Sequence, residues 1–126
     1  MYRLGLLVGL LVFLVVPVYA THDTDIVITE VSVLGCGNGT PVYFAGTTNY
    51  GADPYVKCTT LYYKPEGQSF FNQPYMVRWC DRRTTWNYTK TFNVGDYVVR
   101  AMVSDDQGFN KETVDMTFSV PACTCP

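Results

Sequence analysis

The residues of this 126-residue chain whose types can do covalent, redox or metal chemistry are few: five cysteines, one histidine and a handful of aspartates. His22 is the only histidine and stands near the N-terminus, so a Ser-His-Asp or Cys-His arrangement would need an unsupported end of the chain to be held in place. No enzymatic activity is expected. Cys123 and Cys125 have a single residue between them, short of the two to four usual for paired zinc thiolates, and neither a second such pair nor a histidine lies near. No cofactor is expected either. Asp105 and Asp106, with Asp23 and Asp25, are hard oxygen ligands of the kind calcium takes on loops. The competing use is structural, because Asp105-Asp106-Gln107-Gly108 makes a good hairpin turn by itself.

The cysteines are better explained by compartment. After Arg3 the chain runs uncharged to Val18-Tyr19-Ala20, which offers small or modest side chains where a signal peptidase reads. Its apolar stretch, Leu4 to Val16, makes a helix of roughly 20 Å, whereas crossing a bilayer takes about twenty residues. Residues 1–20 therefore read as a cleaved secretory signal, with no stable membrane insertion afterwards, and 21–25 as a flexible leader. All five cysteines follow the signal. In an oxidising compartment they form a disulfide framework with one left over. Asn38-Gly39-Thr40 and Asn87-Tyr88-Thr89 fit the glycosylation pattern, which makes Asn38 and Asn87 the candidate glycan sites. Without Arg3 the charge is eight Lys and Arg against eleven Asp and Glu, or -3, with no basic cluster to hold a nucleic acid.

The elements that must position these residues are strands. Short runs of period-two alternation are separated by Gly, Pro, Asn and Asp, and no helical stripe appears. Val27, Thr29, Val31 and Val33 are expected on one side of a first strand, and Val42 and Phe44 begin a second. Tyr55 to Tyr63 and Tyr75 to Asp81 form a hairpin around KPEGQSFFNQP; centred near Ser69, it sets Cys58 opposite Cys80. A strand near Trp86 to Phe92 follows. In the next, Tyr97, Val99, Ala101 and Val103 face one way; in the last, Val114, Met116, Phe118 and Val120 do. Strands apolar on one side only belong to antiparallel sheets with a solvated face. Seven or so of them imply an all-β, two-sheet sandwich over 26–121, followed by a Cys-containing tail, 122–126.

Asn93-Val94-Gly95-Asp96-Tyr97 resembles a tyrosine corner, in which the Tyr hydroxyl bonds to backbone a few residues upstream. Its continuation, YVVRAMVSDDQGFNKETVDMTFSV, resembles the last hairpin of PKD-like and other immunoglobulin-like extracellular modules. Pro41-Val42-Tyr43-Phe44 is similar to their second strand, and Tyr75 to Asp81 keeps their Trp without their Gly-Asp-Gly turn. The resemblance implies an Ig-like sandwich in which the first and last strands run side by side, so that Cys36 bonds Cys123 or Cys125.

Sixteen aromatics follow the signal, and many crowd into the middle hairpin. Some fill the core. Phe70 and Phe71 at the tip of an eleven-residue loop are expected to be exposed instead, and with Tyr62 and Tyr63 to form a contact surface. Arg78, Arg82 and Arg83 lie near and can take an acidic group. Two functions suit this reading. One is a secreted, non-enzymatic adhesion module that binds an extracellular protein or glycan. The other is a structural subunit of a filament, cell envelope or virion that self-associates by strand pairing or through the odd cysteine.

Overall fold

The structure, a computed structural model, describes residues 24–52, 54–69, 71, 75–105 and 109–124. Among them are eight strands: β1 (Asp25–Val33), β2 (Thr40–Asn49), β3 (Val56–Pro65), β4 (Val77–Trp79), β5 (Thr85–Phe92), β6 (Gly95–Asp105), β7 (Asn110–Glu112) and β8 (Met116–Val120). No helix of the described residues is long and apolar enough to cross a membrane. The first sheet has the order β1-β2-β5. The second runs β4-β3-β6, with β7 and β8 both paired to β6, and all pairings are antiparallel. The chain is thus an all-β, Ig-like two-sheet sandwich carrying two disulfides.

The inner faces follow from alternation. Along β2, Val42 and Phe44 are fully buried, and along β6 so are Val99, Ala101 and Val103. Phe44, Phe92 and Phe118 meet edge to face with centroids 5.2 to 6.1 Å apart, the geometry that ring quadrupoles favour. Tyr97 stacks on Phe118 at 5.3 Å and donates its hydroxyl to Asn93 O at 2.9 Å, which is the geometry of a tyrosine corner. Gly95 supplies the turn into this strand with φ +155°, a backbone conformation that L side chains rarely adopt, while a Cβ there would meet the Tyr97 ring only at ordinary contact distance, 3.6 Å. The opposite end of the core is polar and satisfied. Trp86 Nε1 donates to Thr48 Oγ1, and Thr48 Oγ1 and Thr59 Oγ1 share a hydrogen bond between the sheets, both at 3.1 Å.

Several expectations are corrected. The last strand is two strands, which raises the number to eight: β7 pairs Met102 with Glu112, whereas β8 pairs Val99 with Met116, so three residues (113–115) oppose two. Such a bulge inverts the pleat beyond it. Val114 is consequently 87 % exposed instead of sharing the inner face with Phe118 and Val120. A register shift between Ile28 and Glu30 does the same to β1. Ile26 and Ile28 are buried before it, Val31 and Val33 pack on the core after it, and Val27 and Thr29 point outward. Of the expected leader 21–25, Thr24 is fully buried and Asp25 begins β1, and residues 21–23 lie outside the described residues.

Nor do β1 and β8 lie side by side in one sheet. They edge opposite sheets, so Cys36–Cys123 is a tie between sheets, reinforced by Gly37 N–H donating to Pro121 O at 2.8 Å. Cys58–Cys80 lies within the second sheet, in the register of Thr59 opposite Trp79 and Leu61 opposite Val77, whose midpoint is residue 69.

Gly46 opposes both Ile28 and Trp86, and the indole lies directly over it. A Cβ there would come within 2.2 Å of the Trp86 ring and 2.3 Å of Val27 O. Gly46→Ala is therefore expected to destabilise the oxidised protein by about 2 kcal/mol or more in chemical denaturation, at the upper part of the usual overpacking range.

Candidate functional site: the solvent face of the second sheet

On β3, Thr59, Leu61 and Tyr63 share the inner face with Val99, Ala101 and Val103, their neighbours across the ladder to β6. Thr60, Tyr62 and Lys64 then lie on the outer face. Pairing sets Arg78 of β4 opposite Thr60 and Arg100 of β6 opposite Tyr62. Two rings that follow β3 in the chain, Phe71 and Tyr75, lie against this surface. Both meet the Tyr62 ring edge-on, with centroids 6.5 Å away.

Cations lie over these rings. Arg100 Cζ stands 4.3 Å and Lys64 Nζ 5.0 Å from the centroid of Phe71, while Arg78 Cζ stands 4.6 Å from that of Tyr75. All three cations are tethered, Lys64 by donating from Nζ to Gln68 O at 2.8 Å. Arg100 donates to both Asp115 oxygens at 2.7 and 3.2 Å and pairs with Glu112 at 3.1 Å. The Asp115 hydrogen bonds, with Glu112 adding to them, raise its pKa above the ordinary guanidinium value, so it is charged at any pH at which the fold exists. Arg78 Nε donates to Thr60 Oγ1 at 3.0 Å. The result is an aromatic patch with fixed positive charge, on the water side of the sheet. Such a patch can stack on the flat face of a sugar or aromatic group while a guanidinium takes a neighbouring carboxylate or hydroxyl.

The contact residues expected from sequence divide here. Tyr62 belongs to the patch. Tyr63 does not: it faces the core, edge-on to Phe92 at 5.1 Å, because neighbours on a strand point to opposite faces. Phe71 belongs, but lies half-buried against the sheet and is no projecting tip. Phe70 lies outside the described residues. Tyr75, 38 % exposed, and Arg100 are members that the sequence reading did not place in the contact surface; Arg100 sits at the position where β6 alternation points outward, and that was the available signal.

The three arginines do not converge. Arg83 lies over Trp79 at 4.9 Å and Arg82 over Tyr50 at 4.7 Å, at the polar end of the sandwich. Trp79 itself stacks on buried Trp86 at 5.9 Å. Arg82 takes φ 53°, a left-handed turn conformation that costs a non-glycine residue energy, and Arg83 clamps the turn by donating to Asp81 at 2.9 and 2.6 Å.

The remaining candidates serve turns and strands. Asp105 Oδ1 accepts Phe109 N–H at 2.8 Å and so closes the β6–β7 hairpin; Asp106, like Asp23, lies outside the described residues. No group of three potential metal ligands occurs among the described residues. His22 and Cys125 lie outside them. Asn38 Oδ1 accepts Val94 N–H at 2.9 Å, and Thr40, buried, donates to Gly37 O at 2.6 Å, so the first sequon is part of a turn. Asn87 and Thr89 are exposed on β5.

No protein-family model and no curated protein matches the chain. Among solved structures, it is similar to the sensor domain of the anti-sigma factor RsgI4 in Pseudobacteroides cellulosolvens, with a TM-score of 0.56 and 14 % identity. The match covers 79 % of this chain and 96 % of that one, and the likeness is one of fold.

The hydrogen bonds from Arg83 hold the Asp81 carboxyl below its ordinary value. A lowered folded pKa stabilises the fold above the unfolded carboxylate value, and that contribution fades as pH falls through the lowered one. Carbon-13 NMR titration is expected to place the Asp81 midpoint below about 3.9 in the parent protein, and to return it toward that value in Arg83→Ala.

Proposed function

We propose that the chain is a non-enzymatic extracellular binding module whose Tyr62–Phe71–Tyr75 face contacts an extracellular protein or glycan. The observation that carries this reading is the placement of three rings, with cations fixed over two of them, on the solvent side of the sheet. Rings that served only the core would follow Tyr63 inward. Aromatic and arginine side chains held in fixed geometry lose little freedom on binding, which is why they dominate contact energies. The secretory leader read from the sequence and the two disulfides support an extracellular location. A fold that serves as a sensor domain in its structural neighbour is compatible with binding.

An acidic glycan or an acidic, aromatic peptide segment suits the patch best, because Arg78 is fixed beside Tyr75 by Thr60 and pairs with no carboxylate among the described residues. The test is the double variant Phe71→Ser, Tyr75→Ser on arrays of acidic and neutral glycans and on a panel of extracellular proteins. Binding seen with the parent is expected to weaken by about tenfold or more, the equivalent of about 1.4 kcal/mol. Stability is expected to change little. Unchanged binding, or a stability loss above about 3 kcal/mol, would make these rings core residues and end the reading.

A further inference from the structure

The two lateral sides of the sandwich are unlike. On one, the edge strands are β5 and β4. β5 turns Lys90 inward, its Nζ 5.6 and 5.7 Å from the Tyr63 and Phe92 centroids, and β4 is only three residues long. Inward charge and short edges keep a sheet from pairing with another. On the other side, β1 borders β7 and β8. Between them runs a groove of about 300 Å³ over Ile26, Ile28 and Thr113, with Val27, Val114 and Met116 on its apolar lip. Val27 is 45 % and Val114 87 % exposed. The groove is stitched at both ends, by Cys36–Cys123 at one and by Lys111 at the other, whose Nζ donates to Thr24 O at 3.0 Å and lies 3.5 Å from Asp25. Between the stitches the outer edge of β1 pairs with no other strand among the described residues; it is regular from Asp25 to Ile28 and apolar from Ile26 to Ile28.

We infer that a second copy of this chain closes this side, its β1 pairing antiparallel with β1 about Val27. The choice of a copy comes from the strand itself. Ile26-Val27-Ile28 reads the same in both directions. An antiparallel pairing centred there sets Val27 against the partner's Val27, Ile26 against the partner's Ile28, and Asp25 against the partner's Thr29. No like charges stand directly opposite, which in a sheet would be destabilising. The two three-stranded sheets become one continuous sheet, and the two-fold axis brings the Val114 and Met116 lips of both copies to the same side of it. The register shift after Ile28 ends the pairing within about one short strand length, so the dimer is a weak, closed one and not a fibre.

The test uses the oxidised mature chain carrying Cys125→Ser, which removes thiol exchange. Sedimentation across concentration is expected to show a monomer–dimer equilibrium, which Val27→Lys weakens by about tenfold or more without lowering the thermal midpoint. Residues directly opposed in an antiparallel pair have Cα atoms about 4.5 to 5.5 Å apart, within disulfide reach. Val27→Cys is therefore expected to give a covalent dimer on mild oxidation, and Thr47→Cys, one strand inward, is not. A monomer at every concentration, a dimer indifferent to Val27→Lys, or an open ladder of oligomers would overturn the inference.

Discussion

A pleated strand gives each side chain one of two faces, and here that period of two decides which residues hold the protein together and which meet the outside. Tyr63 and Tyr62 are chain neighbours with the same chemistry. One is locked edge-on against Phe92 between the sheets, and the other supports Phe71 and Tyr75 in solvent. The same rule makes Ala101 core and Arg100 surface. Where an extra residue breaks the period, the assignment inverts: it does so at Ile28/Glu30 in β1 and between β7 and β8, and both inversions expose valines on the same lateral side.

An open two-sheet sandwich must also deal with its edges. The molecule meets this with different devices on its two sides, a lysine turned inward and a very short strand on one, and stitches across a groove on the other. Cys36–Cys123 closes a long loop, for which chain entropy alone stabilises by about 4.5 kcal/mol in the usual model. Its location matters as much as its size. It joins sheets that share no backbone ladder among the described residues, and so stops this side from splaying beyond the ends of β1 and β8.

Much of the fold was legible in the sequence because local rules and global geometry agree. Cys58 and Cys80 meet because a hairpin symmetric about residue 69 puts them in register, and the Gly95-Asp96-Tyr97 corner needs only a glycine and a tyrosine at the right spacing. The bulges were not legible. An added residue between alternating positions leaves no compositional mark, so Val27 and Val114 read as inward until the ladders are known. The contact between Gly46 and Trp86 joins residues far apart in sequence. The site was half legible: the aromatic excess located it, but only the ring contacts across the sheet show that Phe71 and Tyr75 lie on Tyr62 and that Arg100 joins them.

The division of the aromatics between two faces is the claim on which the functional reading depends. It is tested most directly by comparing Tyr62→Ala with Tyr63→Ala in denaturant unfolding of the oxidised protein. The account predicts a loss of about 3 kcal/mol or more for Tyr63→Ala, as for a large core ring, and of about 1 kcal/mol for Tyr62→Ala, the size of a surface ring contact. An equal loss at both positions, or a larger one at Tyr62, would contradict it.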